Sequence, residues 1–218
     1  MMKRLLLALL CIAAPASFAA GGLAIGAKMG TLGPGIEICG YLMSNLNLRV
    51  GGNYLPLSTD GEADEVDYDV ELNFANALAT LDWHPFNNNF RISAGFALNN
   101  NELEMIGDLN EDTEIGDQKY SPSEIGRLKG TATFDEYAPY LGIGFGNAVA
   151  DDVDLTFSFD LGLLFQGSAD IDLTANGTAS GDPVFQANLR KEEKDAQDVA
   201  DDFKIYPVIS FGICYYFW

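Results

Sequence analysis

Six charged residues are notable in this chain because of where they fall in a two-residue repeat. Lys28, Glu37, Arg49, Arg91, Glu136 and Asp160 each lie on the face opposite an apolar face, interleaved with Gly, Ser, Thr and Asn. Three bases against three acids can form a closed ion-pair network. Charges withdrawn from water need partners, so the pattern predicts an interior lined by mutually neutralising side chains. Asp82 joins the set if its own segment keeps register. The alternative use of the same residues is a charged permeation path.

Other chemistry is sparse. Nucleophilic catalysis by serine needs a histidine beside an acid. The chain has one histidine, His84, in the turn His84-Pro85-Phe86, and no Gly-x-Ser-x-Gly elbow. No catalytic residue and no cofactor are expected, and the role of His84 is local to its turn. Cys39 and Cys214 share the inward parity with one segment between them. Two strand spacings place their backbones ~9.6 Å apart, beyond the ~4.4–6.8 Å that a disulfide spans, so two free thiols are expected. Asp108-Leu109-Asn110-Glu111-Asp112 has the alternating oxygens of a calcium loop, and Asp108, Asn110 and Asp112 are its candidate ligands. Thr113 replaces the glycine of position six and Lys119 the acid of position twelve, so the match is imperfect.

These residues must be carried by something exported. Lys3 and Arg4 precede the apolar run Leu5 to Ala14, then Pro15 and the small-residue site Ser17-Phe18-Ala19. That is a signal peptide over 1–19, with 20–218 as the mature domain. The run is too short for a spanning helix, which needs ~20 residues. The chain has 12 bases and 32 acids, so a nucleic-acid-binding surface is excluded. Hydrophobic residues make up 48% of it, yet no later run reaches helix-spanning length. An exported chain of this kind is a soluble β domain or a membrane barrel.

Period-two alternation decides between them. Eight segments show it: 23–32, 34–43, 46–57, 72–83, 90–99, 131–146, 153–165 and 204 to the end. The fourth alternates poorly, which predicts a bulge or register switch near Asn76. Short turns alternate with long connections at 58–71, 100–130 and 166–203, except for the tight turn at Gly33. The expectation is an all-β fold: an eight-stranded antiparallel transmembrane β-barrel with short periplasmic turns and long extracellular loops. Asp182-Pro183 predicts a short helix in the last loop, and Ser121 to Leu128 a helical turn. Trp83, Phe86, Phe145, Tyr215 and Phe217 predict an aromatic girdle near the periplasmic rim.

Asp82-Trp83-His84-Pro85-Phe86, Phe90-Arg91-Ile92-Ser93-Ala94-Gly95 and the run from Ala138 to Asn147 carry a family resemblance, completed by Leu163 to Ser168 and Asp202 to Val208. The chain resembles an uncharacterised group of proteobacterial outer-membrane barrels, similar to the OmpA-type and OmpW-type eight-stranded barrels. The resemblance implies fold and outer-membrane location and imports no catalytic residue. The OmpW-type N-terminal motif and the peptidoglycan-binding domain of full-length OmpA-type proteins have no counterpart here.

The first functional reading is a structural or surface-interaction barrel with a salt-bridged, plugged lumen and acidic loops. The alternative is a narrow, OmpW-like channel for small, including hydrophobic, solutes; a lipid-modifying enzyme is third. Expected partners are outer-membrane lipid, lipopolysaccharide and the barrel-assembly machinery, with weak Ca²⁺ or Mg²⁺ capture at the acidic loops. In the last segment the apolar parity ends on Phe217, with Trp218 on the other, so Phe217 is the expected insertion signal.

Overall fold

The computed structural model describes residues 22–63, 66–149 and 154–217. The export signal expected over 1–19, and Trp218, lie outside them. Eight strands close into an antiparallel ring: β1 (Leu23–Gly30), β2 (Gly35–Met43), β3 (Leu46–Ala63), β4 (Val66–Trp83), β5 (Phe90–Asn99), β10 (Tyr137–Phe145), β11 (Leu155–Phe165) and β13 (Ile205–Tyr216), which pairs back to β1. Alternation sets the two faces. Ile209, Phe211, Ile213 and Tyr215 of β13 point outward and are exposed, whereas Val208 and Cys214 point inward and are buried. The same holds for Leu141, Ile143 and Phe145 against Ala138 and Tyr140 on β10. Apolar side chains on the outside of a closed ring belong in hydrocarbon, where closure leaves no unpaired strand edge.

The long connections are not loops. β3 and β4 each run for 18 residues, and their pairing continues to Ala63↔Val66. A tilted span needs only ~9–11 residues, so the distal half of this hairpin, including the region 58–71, stands above the barrel. The connection 100–130 forms β6 (Glu102–Leu109), the small hairpin β7 (Thr113–Ile115) and β8 (Gln118–Tyr120), the helical turn α1 (Pro122–Ile125) and the start of β9 (Arg127–Thr133). The connection 166–203 holds β12 (Asp170–Ala175) and α2 (Pro183–Ala200). Strands β3, β4, β6, β9 and β12 thus make a tall sheet rising from one side of the ring.

No bulge occurs at Asn76. The β3–β4 register runs unbroken through Asn53↔Asn76. What changes there is the partner on the other edge: β4 pairs with β5 from Asn76 to Trp83 and with β6 from Val66 to Asn73. At the break, Asn100 N–H donates to the Ala75 carbonyl and Ala75 N–H to Asn101 Oδ1.

The tall sheet is amphipathic. Its outer face presents Asp69, Glu71, Glu104 and Asp172; Leu109, Leu128, Leu173 and Ala175 on the other face pack against Ile115, Tyr120, Ile125, Phe185 and Leu189. Phe185 and Leu189 come from α2, which at 18 residues is longer than the short helix expected. Its start matches the sequence signal: Asp182 caps the Val184 N–H and Pro183 holds the first helical position. Ser121 caps α1, with Glu124 closing a capping box.

Phe217 follows β13 on the outward parity, is half exposed, and donates its N–H to the Leu23 carbonyl. Phe217→Ala is expected to slow assembly into the membrane more than deletion of Trp218, measured by the folded fraction on heat-modifiable gels. An equal or reversed ranking would reject Phe217 as the terminal signal.

Candidate functional site

The ring encloses side chains in three layers. The middle one is ionic. Arg49 on β3 reaches Asp82 on β4 (2.9 Å from Nε), Asp160 on β11 (2.9 Å from NH1) and Glu37 on β2 (3.6 Å). Arg91 on β5 pairs with Asp160 at 2.7 Å and lies 3.8 Å from Asp82; Lys28 on β1 pairs with Glu37 at 3.3 Å. Arg91 also donates to the Gly146 carbonyl, Thr80 Oγ1 to Asp82, and Ser210 Oγ to Asp160. Every member of the layer is buried or nearly so. Three bases face three acids, so the layer is neutral. Room for it comes from small residues: a Cβ at Gly144 would stand 2.7 Å from Asp160 Oδ1 and 2.8 Å from Arg91 Nε.

Toward the long-connection end lies an apolar layer: Leu32, Leu78, Ala97, Ala138, Tyr140, Leu164 and Val208, with Tyr206 against it. Leu32 enters from the tight turn at Gly33, whose φ of +90° suits glycine. Buried asparagines top this layer, and Asn53 Nδ2 donates to Asn76 Oδ1 at 2.7 Å. At the short-turn end, Ala24, Cys39 and Val149 pack together with Tyr41, Ala148 and Tyr216. His84 is buried there. Its Nδ1–H donates to the Asn88 carbonyl (2.8 Å), and Nε2 accepts from Asn47 Nδ2 (3.2 Å). Burial pushes its pKa down, and both ring nitrogens are engaged in these hydrogen bonds. Two lumenal cavities, one on each side of Arg49, measure about 10 Å³ each, room for about one water apiece.

The structure brings together five of the six residues expected in the network: Lys28, Glu37, Arg49, Arg91 and Asp160. Glu136 is a correction. It precedes β10, is exposed, and takes no part in the network. Asp82 holds the third acidic place, because β4 keeps its register and turns even-numbered residues inward. Of the calcium-loop candidates, Asp108 lies on β6 with its carboxylate held by Arg127 (3.1 Å), while Asn110 and Asp112 are both exposed around the turn before β7. The residues that form a metal-competent cluster among those described lie elsewhere: Glu37, Cys39 and Cys214. Both cysteines point inward and are free thiols.

Arg49→Leu removes the base shared by three buried carboxylates and leaves two bases against three acids, and breaking a buried pair costs about 3–5 kcal/mol. The variant is expected to lower the unfolding free energy of the detergent-refolded barrel by that order. Arg127→Ala removes an exposed pair and should change it by less than about 1 kcal/mol, as should Glu136→Gln, an exposed position. Urea titration followed by tryptophan fluorescence measures all three. An Arg49→Leu barrel as stable as the parent would reject the network as the keystone of the lumen.

No family model and no curated protein matches the sequence. Among solved structures, the fold is similar to that of CarO2 from Acinetobacter baumannii, at 19% identity and a TM-score of 0.60, covering 90% of this chain and 98% of that one. It is also similar to CarO from the same organism, at 19% identity and a TM-score of 0.55 with the same coverage. A major outer membrane protein from Thermus thermophilus aligns at 11% identity and a TM-score of 0.41, covering 91% of this chain and 100% of that one. At 19% identity the likeness to the two Acinetobacter proteins is one of architecture: the chain folds as a closed, eight-stranded antiparallel transmembrane β-barrel with a buried salt-bridge network inside.

Proposed function

We propose that this protein is a structural, surface-interacting barrel of the outer membrane, not a solute channel. The observation that carries this reading is the filled lumen. An apolar layer, a neutral ionic layer and a short-turn layer succeed one another along the axis, and opening a path would break the pairs of Arg49. The engaged ring of His84 supports a non-enzymatic role. The part of the molecule that varies from a bare barrel is the tall acidic sheet. Its outer face carries acids directly opposed in register, Asp60↔Asp69 and Glu71↔Glu104. Like charges so placed are destabilising, and Lys129, 2.8 Å from Glu104, offsets only part of this. The sheet rises where the apolar belt ends. Divalent cations there would relieve the repulsion and bridge to anionic lipopolysaccharide, with the short turns on the periplasmic side.

Planar-bilayer recording tests the central point. The purified barrel is expected to show no stable conductance in molar KCl; a reproducible ohmic step would establish the channel reading instead. The cation bridge has its own readout. In vesicles containing lipopolysaccharide, chelating Ca²⁺ and Mg²⁺ should lower the thermal midpoint of the barrel, with no change in zwitterionic phosphatidylcholine vesicles. The same response in both lipids would reject it.

A further inference from the structure

Glu37, Cys39 and Cys214 form a second group of reactive side chains, between the ionic layer and the short-turn end. Closure of the barrel does not require the two thiols. All three residues are buried, and their ligand atoms lie within 4.8 Å of one another. The Glu37 carboxylate is divided between two tasks. Oε2 faces Lys28 (3.3 Å) and Arg49 (3.6 Å), while Oε1 accepts from Cys214 Sγ at 3.4 Å.

The backbone explains how the sulfurs meet. β1 lies between β2 and β13, with Cys39 opposite Ala24 and Cys214 opposite Gly26. The two side chains lean toward each other over the smallest residues of the intervening strand. A Cβ on Gly26 would stand 2.6 Å from Cys214 Sγ and 3.1 Å from Glu37 Cγ. A disulfide is still out of reach, because strands two spacings apart hold their backbones ~9.6 Å from each other. A bridging ion suits this separation. Two thiolates at ~2.3 Å from a tetrahedral metal are about 3.8 Å apart, and a carboxylate oxygen completes a third position at ~2.0–2.2 Å.

We infer that Cys39, Cys214 and Glu37 are the ligands of a thiophilic divalent metal ion of the zinc class. Charge selects the valence. The lumen is already balanced, three bases against three acids. Binding replaces two thiol protons by one M²⁺: both S–H bonds break, two metal–thiolate bonds form, and two protons leave. The net charge of the lumen does not change. Sulfur ligands disfavour hard cations such as Ca²⁺ and Mg²⁺. The three ligands line a small cavity together with Asn47 and His84, which has room for about one water. Val149 packs against Cys39 and covers the group, so the ion would enter as the barrel folds.

The test refolds the full chain, carrying Cys11→Ala, into detergent micelles with Cd²⁺, removes free metal by gel filtration, and reads bound cadmium and the ultraviolet thiolate-to-cadmium charge-transfer band. One ion per barrel with the band is expected; Zn²⁺ present during refolding should suppress both, and Ca²⁺ should suppress neither. Cys39→Ser and Cys214→Ser are near-isosteric, and each should fold yet lose both the band and the bound ion. Should either variant fail to fold, X-ray absorption of the loaded parent decides, since two sulfur neighbours per cadmium are expected. A folded barrel without cadmium, cadmium retained in both serine variants, or a bound cadmium without two sulfur neighbours would each overturn the assignment.

Discussion

A single guanidinium sets the terms for this barrel. Arg49 on β3 binds acids on the neighbouring strands β2 and β4 and on β11, which sits diametrically opposite in the ring. Such a tie across the diameter is possible because eight strands enclose only enough space for side chains to fill. It also imposes a condition. A buried guanidinium stripped of its partners is very costly, so every strand that contributes to the layer must hold its register. A slip of one residue on β4 would replace Asp82 by Leu81 or Trp83 and send the carboxylate into lipid.

The layers above and below follow from that condition. A charged layer open to water on both sides would be screened and loosened. Here Tyr140, Leu164 and Val208 seal one side, and Val149 with its neighbours seals the other. Gly142 and Gly162 lie under the Tyr140 ring, leaving it the room that side chains would take. The outer surface answers to a different solvent. Its apolar belt ends where β5 and β10 hand over to β6 and β9, and from there upward the same outward parity carries acids. One alternation thus runs the length of β4, with lipid and then water changing which residues it selects.

That continuity explains what was legible in the sequence. Inward parity was readable wherever a strand carried bulky apolar residues on alternate positions, as in β11, β10 and β13. It put Lys28, Glu37, Arg49, Arg91, Asp160 and both cysteines on the lumenal face, where the structure has them. It misplaced Glu136, which has the inward parity of β10 but precedes its first paired residue. It left Asp82 in doubt because the outward face of β4 is partly alanine and the inward face includes Leu78. The tall sheet was also written in the chain: Val66-Asp67-Tyr68-Asp69-Val70-Glu71-Leu72 alternates without a break. The length of a membrane span argued for stopping each strand near the bilayer, and an acidic segment without basic residues reads as solvated loop. Long-range pairing with β6 and β9 supplies what local pattern does not. The apolar layer was hidden for a related reason, since Leu164 and Val208 sit on a parity otherwise read as polar.

The thiols show where strand arithmetic stops being sufficient. Counting strands fixes backbone separations, and by that measure Cys39 and Cys214 are too distant to join. Inside a small ring, side chains on alternate strands lean toward a common axis, and their tips approach more closely than their backbones. Whether they meet depends on what stands between them, and here it is Ala24 and Gly26. A larger residue at position 26 would fill the gap and leave two isolated cysteines under a sealed turn. The glycine therefore determines more than packing: it converts two residues 175 positions apart in the chain into neighbours that share one carboxylate with the ionic layer, so that the chemistry at the short-turn end is coupled through Glu37 to Lys28 and Arg49.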